Sequence, residues 1–403
     1  MDKNNNKSII WNNVKSKYIL KKIFDNLVEV RALNIMRINK ALQSKLDIDI
    51  NAYKEMCKII IDIYPKRGIE GKLFNKLENT DESYYHIYFD ENKEEVKNNS
   101  ISKEGKVNKI KLIIDTQVTS LSGLFKDCSY IKKLDIIRLR RRDIKDISSI
   151  FEGCNNLEEI IFSIIDTSNI TNMSNMFNKC KVLKEIDLSK FNTKNVTNMN
   201  RMFSNCESLY QLDLSNFNTN KVDDMSHMFE FCLRLKKLNI SNFNTSNVTN
   251  MNFMFSNCNS LPSINLSNFN TQKVVDMNAM FERCFLIKEL VLSNFDTSKV
   301  KIMSNMFRGC SQLININLSN FNTKNTKDMS NMFFECKSLK EINLSNFNTE
   351  NVISMYCMFN GCSSLTKANL SSFNIKNVDT MYCMFFGYTS LKHIKFPLYQ
   401  KKN

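Results

Sequence analysis

The stretch SLYQLDLSNFNTNKVDDMSHMFEFC, Ser208–Cys232, is one copy of a unit that recurs with a period of 26 residues. Cys128, Cys154, Cys180, Cys206, Cys232, Cys258, Cys284, Cys310, Cys336 and Cys362 stand 26 apart, and Tyr388 takes the next position. Three residues ahead of each stands a phenylalanine, from Phe125 to Phe385 without exception. A fixed period of this length is the signature of a solenoid, whose units cannot bury their apolar faces alone and stack on their neighbours.

Within one unit the spacing of apolar residues changes. Leu209, Leu212, Leu214 and Phe217 suit a short strand with one face buried. Val222, Met225, Met228, Phe229 and Cys232 then recur at steps of three, three, one and three, a stripe about 120° wide on a helical wheel. Between them lies N-T-x-x-V, whose Asn and Thr side chains can bond a turn and cap a helix. The expected unit is a strand, a polar turn and a short helix.

The full pattern, L-x-x-L-(D/N)-L-S-x-F-(N/D)-T-x-x-V-x-x-M-x-x-M-F-x-x-C, resembles the BspA-like leucine-rich repeats over residues 118–397. The resemblance implies an α/β repeat solenoid, a curved leucine-rich-repeat-type stack of strand-turn-helix units. It also implies binding to other macromolecules, often on bacterial or protist cell surfaces, and no catalytic residue.

Composition narrows the functional classes. The net charge of +15 and pI near 9.1 permit attraction to acidic surfaces, but no nucleic-acid motif accompanies the charge, so a nucleic-acid partner is disfavoured. Ten of thirteen cysteines fill one column, where parallel Cβ vectors suit reduced thiols better than bridges. No C-x-x-C pair occurs, and His86, His227 and His393 stand apart, so no metal or other cofactor is expected. MDKNNNKSIIWNNVKSK has no signal-peptide apolar run and no stretch elsewhere approaches a membrane span, so the expected location is cytoplasmic.

Residues 1–66 have a different texture, read as a small all-α module. Its helices start near Ser16, pass through Leu33, Met36 and Leu42, and run from Ala52 through Ile60 and Ile63 to Pro65. Leu20, Ile23, Phe24 and Leu27 weakly resemble the L-x-x-I-F-x-x-L core of an F-box, although Lys17 and Tyr18 replace its opening Leu-Pro and its Trp segment is missing. Residues 67–109 read as a charged linker and N-terminal cap region, with YYHIYF as a strand and DENKEEVKNNSISKEGK as a loop. IKLII marks the strand of a shortened first unit in a solenoid spanning 110–403. At the far end Lys392, Lys395 and Pro397 blunt a sheet edge.

No phosphate loop, nucleophile elbow, HExxH or kinase signature appears, so an enzyme is not expected. Candidate partner-binding residues are those that depart from the consensus. On the strand face Ile161 and Val291 interrupt a polar column, and Arg138, Arg140, Arg141 and Arg142 form the densest basic cluster. On the expected helix Phe253 and Phe231 point outward on adjacent units, flanked by Leu233 and Phe285. These features describe a noncatalytic protein-protein interaction scaffold with a protein partner of unknown identity. The F-box resemblance adds a ubiquitin-ligase substrate adaptor as the alternative, and the repeat resemblance adds a cell-surface adhesin.

Overall fold

The computed structural model describes residues 14–25, 27, 32, 35–36, 39–47, 49–78, 80–387 and 390–397. Leu33, Tyr388 and the first thirteen residues, expected as parts of the helical module and of the last unit, lie outside them. Helices α1 (Lys17–Asp25), α2 (Lys40–Leu46) and α3 (Ile50–Cys57) precede strands β1 (Ile59–Pro65), β2 (Gly71–Lys72), β3 (Tyr85–Phe89), β4 (Ser100–Ile101), β5 (Ile110–Ile114), β6 (Ile131–Arg138) and β7 (Glu159–Phe162). The repeats then supply only very short strands: β8 (Gln211–Asp213), β9 (Lys237–Asn239), β10 (Glu289–Leu290), β11 (Asn315–Ile316), β12 (Glu341–Asn343), β13 (Lys367–Asn369) and β14 (His393–Lys395).

The repeats form a β-solenoid of about 10 turns, which overturns the expected strand-turn-helix stack. No α-helix occurs among the described residues beyond Cys57. The segment expected as a helix is instead a run of tight turns. Within one coil Met202 N–H donates to Met199 O, Ser204 to Arg201 O and Cys206 to Phe203 O, each closing a three-residue step. The alternate donors turn outward to the next coil, from Met199 to Asp224 O, Arg201 to Ser226 O, Phe203 to Met228 O and Asn205 to Glu230 O. This alternation requires the left-handed backbone twice per coil. It occurs at the residue between the methionines (Arg201, φ 55°; His227, φ 57°) and at the residue before the cysteine (Asn205, φ 59°; Phe231, φ 55°).

Every element of the coil is in register with the same element 26 residues on. β6–β7, β8–β9, β10–β11 and β12–β13–β14 pair in parallel, with Leu212 opposite Leu238 and Ile342 opposite Ala368. On the far side a ladder of isolated bridges runs from Asp146 through Asn172 and Asn198 to Thr380. Between these faces the core is a set of side-chain columns. Phenylalanine rings from Phe125 to Phe385 stack with centroids 5.4–6.1 Å apart. Buried threonines from Thr167 to Thr349 donate Oγ1 to a carbonyl one coil on, as Thr219 does to Asn244 O at 2.9 Å.

The N-terminal end is closed by a different device. The segment IIIDIYP, rich in β-branched residues, is strand β1 and not the end of the third helix. It lies between β5 and β6, antiparallel to both, in the five-stranded order β3-β5-β1-β6-β7. β1 therefore occupies the edge where a preceding coil would sit, and IKLII (β5) stands one strand farther out instead of opening the repeat stack. The helices have a small core of their own, built on Leu20, Phe24, Ala32, Met36, Leu42 and Leu46. Asn39 and Asp49 cap α2 and α3 by accepting from Leu42 N and Ala52 N.

Candidate functional site: the exposed columns of the solenoid

In a solenoid each position of the unit becomes a column, so a surface is read down columns. The cysteine column faces inward. From Cys154 to Cys362 each Sγ donates to the carbonyl of the phenylalanine in the preceding coil, at 2.9–3.3 Å. Burial drives these thiols far from ionisation, Cys206 and Cys310 up to about 12. They are structural groups out of reach of a partner.

The arginine cluster is divided among several tasks. Arg141 is fully buried, paired with Asp143 at 2.6 Å, and donates to the carbonyls of Asp115, Thr116 and Val118. Arg138 donates to Glu55 O and Lys58 O, satisfying the last carbonyls of α3. Arg142 pairs with Asp166 at 3.0 Å, and only Arg140 stands exposed. The four do not present one basic patch.

Phe231 and Phe253 are both half-buried, each in one of the two left-handed columns. Phe253 stacks flat on His227, with centroids 4.9 Å apart and planes 5° from parallel. Arg201 Nη2 donates to His227 Nε2 at 3.2 Å, and His227 Nδ1 meets Glu230 Oε2 at 2.9 Å. Both bonds are satisfied by a neutral imidazole carrying its proton on Nδ1. Arg201, His227 and Phe253 are thus linked over three coils, by a hydrogen bond and then by a ring stack. Leu233 is half-buried and Phe285 is 37% exposed on the loop after the cysteine. On the strand face Val291 is 73% exposed and Ile161 is 37% exposed. Around Ile161 an open cleft of about 780 Å³ is lined by Glu185, Asp187, Gln211, Asp213, Lys237 and Asn239.

One column escaped the reading of the sequence. The residue four places after each cysteine turns the corner into the strand face; after an exposed Lys132 and Glu158 in the first two coils it is exposed at Lys184, Lys236, Lys288, Lys340 and Lys392, in every second coil. The coils between carry Tyr210, Pro262, Ile314 and Thr366. Backbone bonds join the members directly: Tyr210 N–H donates to Lys184 O, Lys236 to Tyr210 O, Ile314 to Lys288 O and Lys340 to Ile314 O. Lys236 Nζ lies over the Tyr210 ring, 5.3 Å from its centroid. Lys184, Lys288, Lys340 and Lys392 enter no ion pair among the described residues, whereas Lys132 at the head of the row pairs with Glu158, and Lys367 in the next column pairs with Glu341. A 52-residue recurrence of lysine was the available signal.

No helix among the described residues is long and apolar enough to cross a membrane. No curated protein matches the chain. A family model does match it, over residues 119–237, 210–289 and 284–395, which together take in the coils described above and more than half of the sequence. By that match the chain belongs to the family described as Mycoplasma protein of unknown function, DUF285.

Proposed function

We propose that the chain is a noncatalytic scaffold that holds a protein partner along the exposed columns of its solenoid. One observation carries this reading. The consensus side chains of each coil, Val, Met, Phe, Cys and Thr, are spent on the interior and on bonds to the adjacent coils, while the residues that differ from coil to coil stand outside in register. Such an array presents many small, regularly spaced contacts over a long surface, the arrangement that suits another chain. The resemblance of the unit to BspA-like repeats supports the same reading.

The test is affinity capture by the full chain, with a parallel capture by a variant carrying Val291→Asp and Phe285→Ser. A scaffold retains a defined protein in stoichiometric amount, and a variant altered at a contact column loses it while melting at the same temperature. Failure of the full chain to retain any protein above an unrelated solenoid of similar charge would overturn the reading.

A further inference from the structure

We propose that the lysine row is a docking track for an extended acidic peptide in the polyproline II conformation, with Asp or Glu at every third residue. This rests on the scaffold reading and names the chemistry of its partner. The pitch is the first argument. The coil-to-coil hydrogen bonds run through the row itself, Lys184 O to Tyr210 N and Tyr210 O to Lys236 N at 2.9 Å, Lys340 O to Thr366 N at 2.8 Å and Thr366 O to Lys392 N at 3.1 Å. Members so bonded are therefore one strand spacing apart, about 4.7–4.9 Å, and lysines in alternate coils recur about every 9.4–9.8 Å, the bonds being interrupted between Lys236 and Lys288 at Pro262, which has no N–H to donate.

A polyproline II helix advances about 3.1 Å per residue with three residues per turn, so its every third side chain returns to one face after about 9.3 Å. The other regular conformations fall out of step. An extended strand repeats a face after about 6.6–6.8 Å and an α-helix after about 5.4 Å. A mismatch of a few tenths of an ångström per turn is taken up by the flexible four-carbon lysine stem.

The spacers and the acids fit the same partner. Tyr210 is 45% exposed, and Pro262 and Ile314 put further apolar surface between the ammonium groups, where the two uncharged residues of each triplet would rest. Aromatic and apolar ridges are the usual seat of proline-rich segments. Glu185 and Glu289 follow Lys184 and Lys288 in sequence and are exposed beside the row. They repel an evenly and densely charged polyanion such as a nucleic acid, and they tolerate a chain that is anionic only once in three residues.

The experiment measures binding of labelled peptides to the full chain by fluorescence anisotropy at physiological salt. The probes are a peptide of repeated Asp-Pro-Pro triplets spanning the row, an isomer of equal composition with its Asp residues in one block, and a single-stranded oligonucleotide. The triplet peptide is expected to bind at least about tenfold more tightly than the blocked isomer. The combined variant Lys184→Glu, Lys288→Glu, Lys340→Glu is expected to lose at least about tenfold with its melting temperature unchanged, because exposed charges contribute to contact more than to folding. Equal binding of the two peptides, tighter binding of the oligonucleotide, or indifference to the charge reversal would each overturn the track. If the charge-reversed variant still captures the protein partner of the unmodified chain, the track falls while the scaffold reading stands.

Discussion

The cysteine is the most regular residue of the chain, and its column was legible from spacing alone. Its bond was not. A thiol in an apolar stripe reads as a small hydrophobe, yet Cys232 Sγ donates to Phe203 O at 3.2 Å and lies within a continuous ladder of such bonds. The bond changes what substitution should do. Cys232→Ser keeps a donor near the same carbonyl and should cost under about 1 kcal/mol, whereas Cys232→Ala removes the donor and leaves a small void, costing about 1–3 kcal/mol. Urea denaturation of both variants checks the order, and a serine variant weaker than the alanine one would contradict the ladder. The candidate aromatic pair shows the converse failure. Phe253 was placed in water by a helical wheel, and it is half-buried on His227 because its backbone is left-handed and its neighbours are one coil away.

The stripe Met225, Met228, Phe229, Cys232 has helical spacing because consecutive tight turns also return a side chain inward every three or four residues. Apolar period alone cannot separate the two. The separating signal lies at the polar positions, where Asn175, Asn305 and Asn331 recur in one column and Gly153, Gly309, Gly361 and Gly387 recur in the other, all with φ between 55° and 76° except Gly387 at 82°. Asn and Gly are poor in helix interiors and good at left-handed positions, so their recurrence at two fixed places favours turns. Exposed Lys179, at φ 63°, allows a direct test. Lys179→Gly and Lys179→Asn should stay within about 0.5 kcal/mol of the parent, and Lys179→Val should cost about 1–2 kcal/mol because a β-branched residue resists this conformation. In a helix the order would invert, with glycine the costly change at about 1 kcal/mol. Equilibrium denaturation of the three variants decides it. The short segment IIIDIYP was misread for a related reason. Ile60 and Ile63 continue the spacing of α3, but the helix ends at Cys57 and the alternating burial of Ile59, Ile61 and Ile63 belongs to a strand.

Over the whole molecule the thiol ladder links stability to pH. Each thiol of the ladder keeps its proton in the folded chain above the ordinary range, with Cys206, Cys310 and Cys362 pushed up to about 12 by burial, while unfolded cysteine ionises at about 8.5. The folded state therefore binds more protons than the unfolded one above that point. The ladder's contribution is whole below about pH 8.5 and is lost as pH rises toward 12. Under reducing conditions the melting temperature should fall steadily from about pH 8.5 upward, and unfolding near pH 9.5 should release protons to an indicator dye. A melting temperature flat from pH 7 to 9.5 would show that the thiols already meet solvent. Period, unit boundaries and the polar and apolar columns could all be read from the chain. The lysine row is legible only at twice that period, because its two-coil recurrence is invisible to a search for what every unit shares.

The cap formed by β1 separates this chain into one long-range closure and many short ones. Joining Ile61 to Ile136 brings together parts of the chain that are far apart in sequence, whereas each later coil meets only the coil before it. Loop-closure entropy is thus concentrated in a single early event, after which growth is local. The order of synthesis matches this, since the cap and first coil leave the ribosome ahead of the repeats they nucleate. The opposite end has no such closure among the described residues. Tyr382, Phe386 and Ile394 are exposed there, and β14 has a strand partner on one side only. The cap thus works as the stop of a zipper, against which each following coil closes in turn.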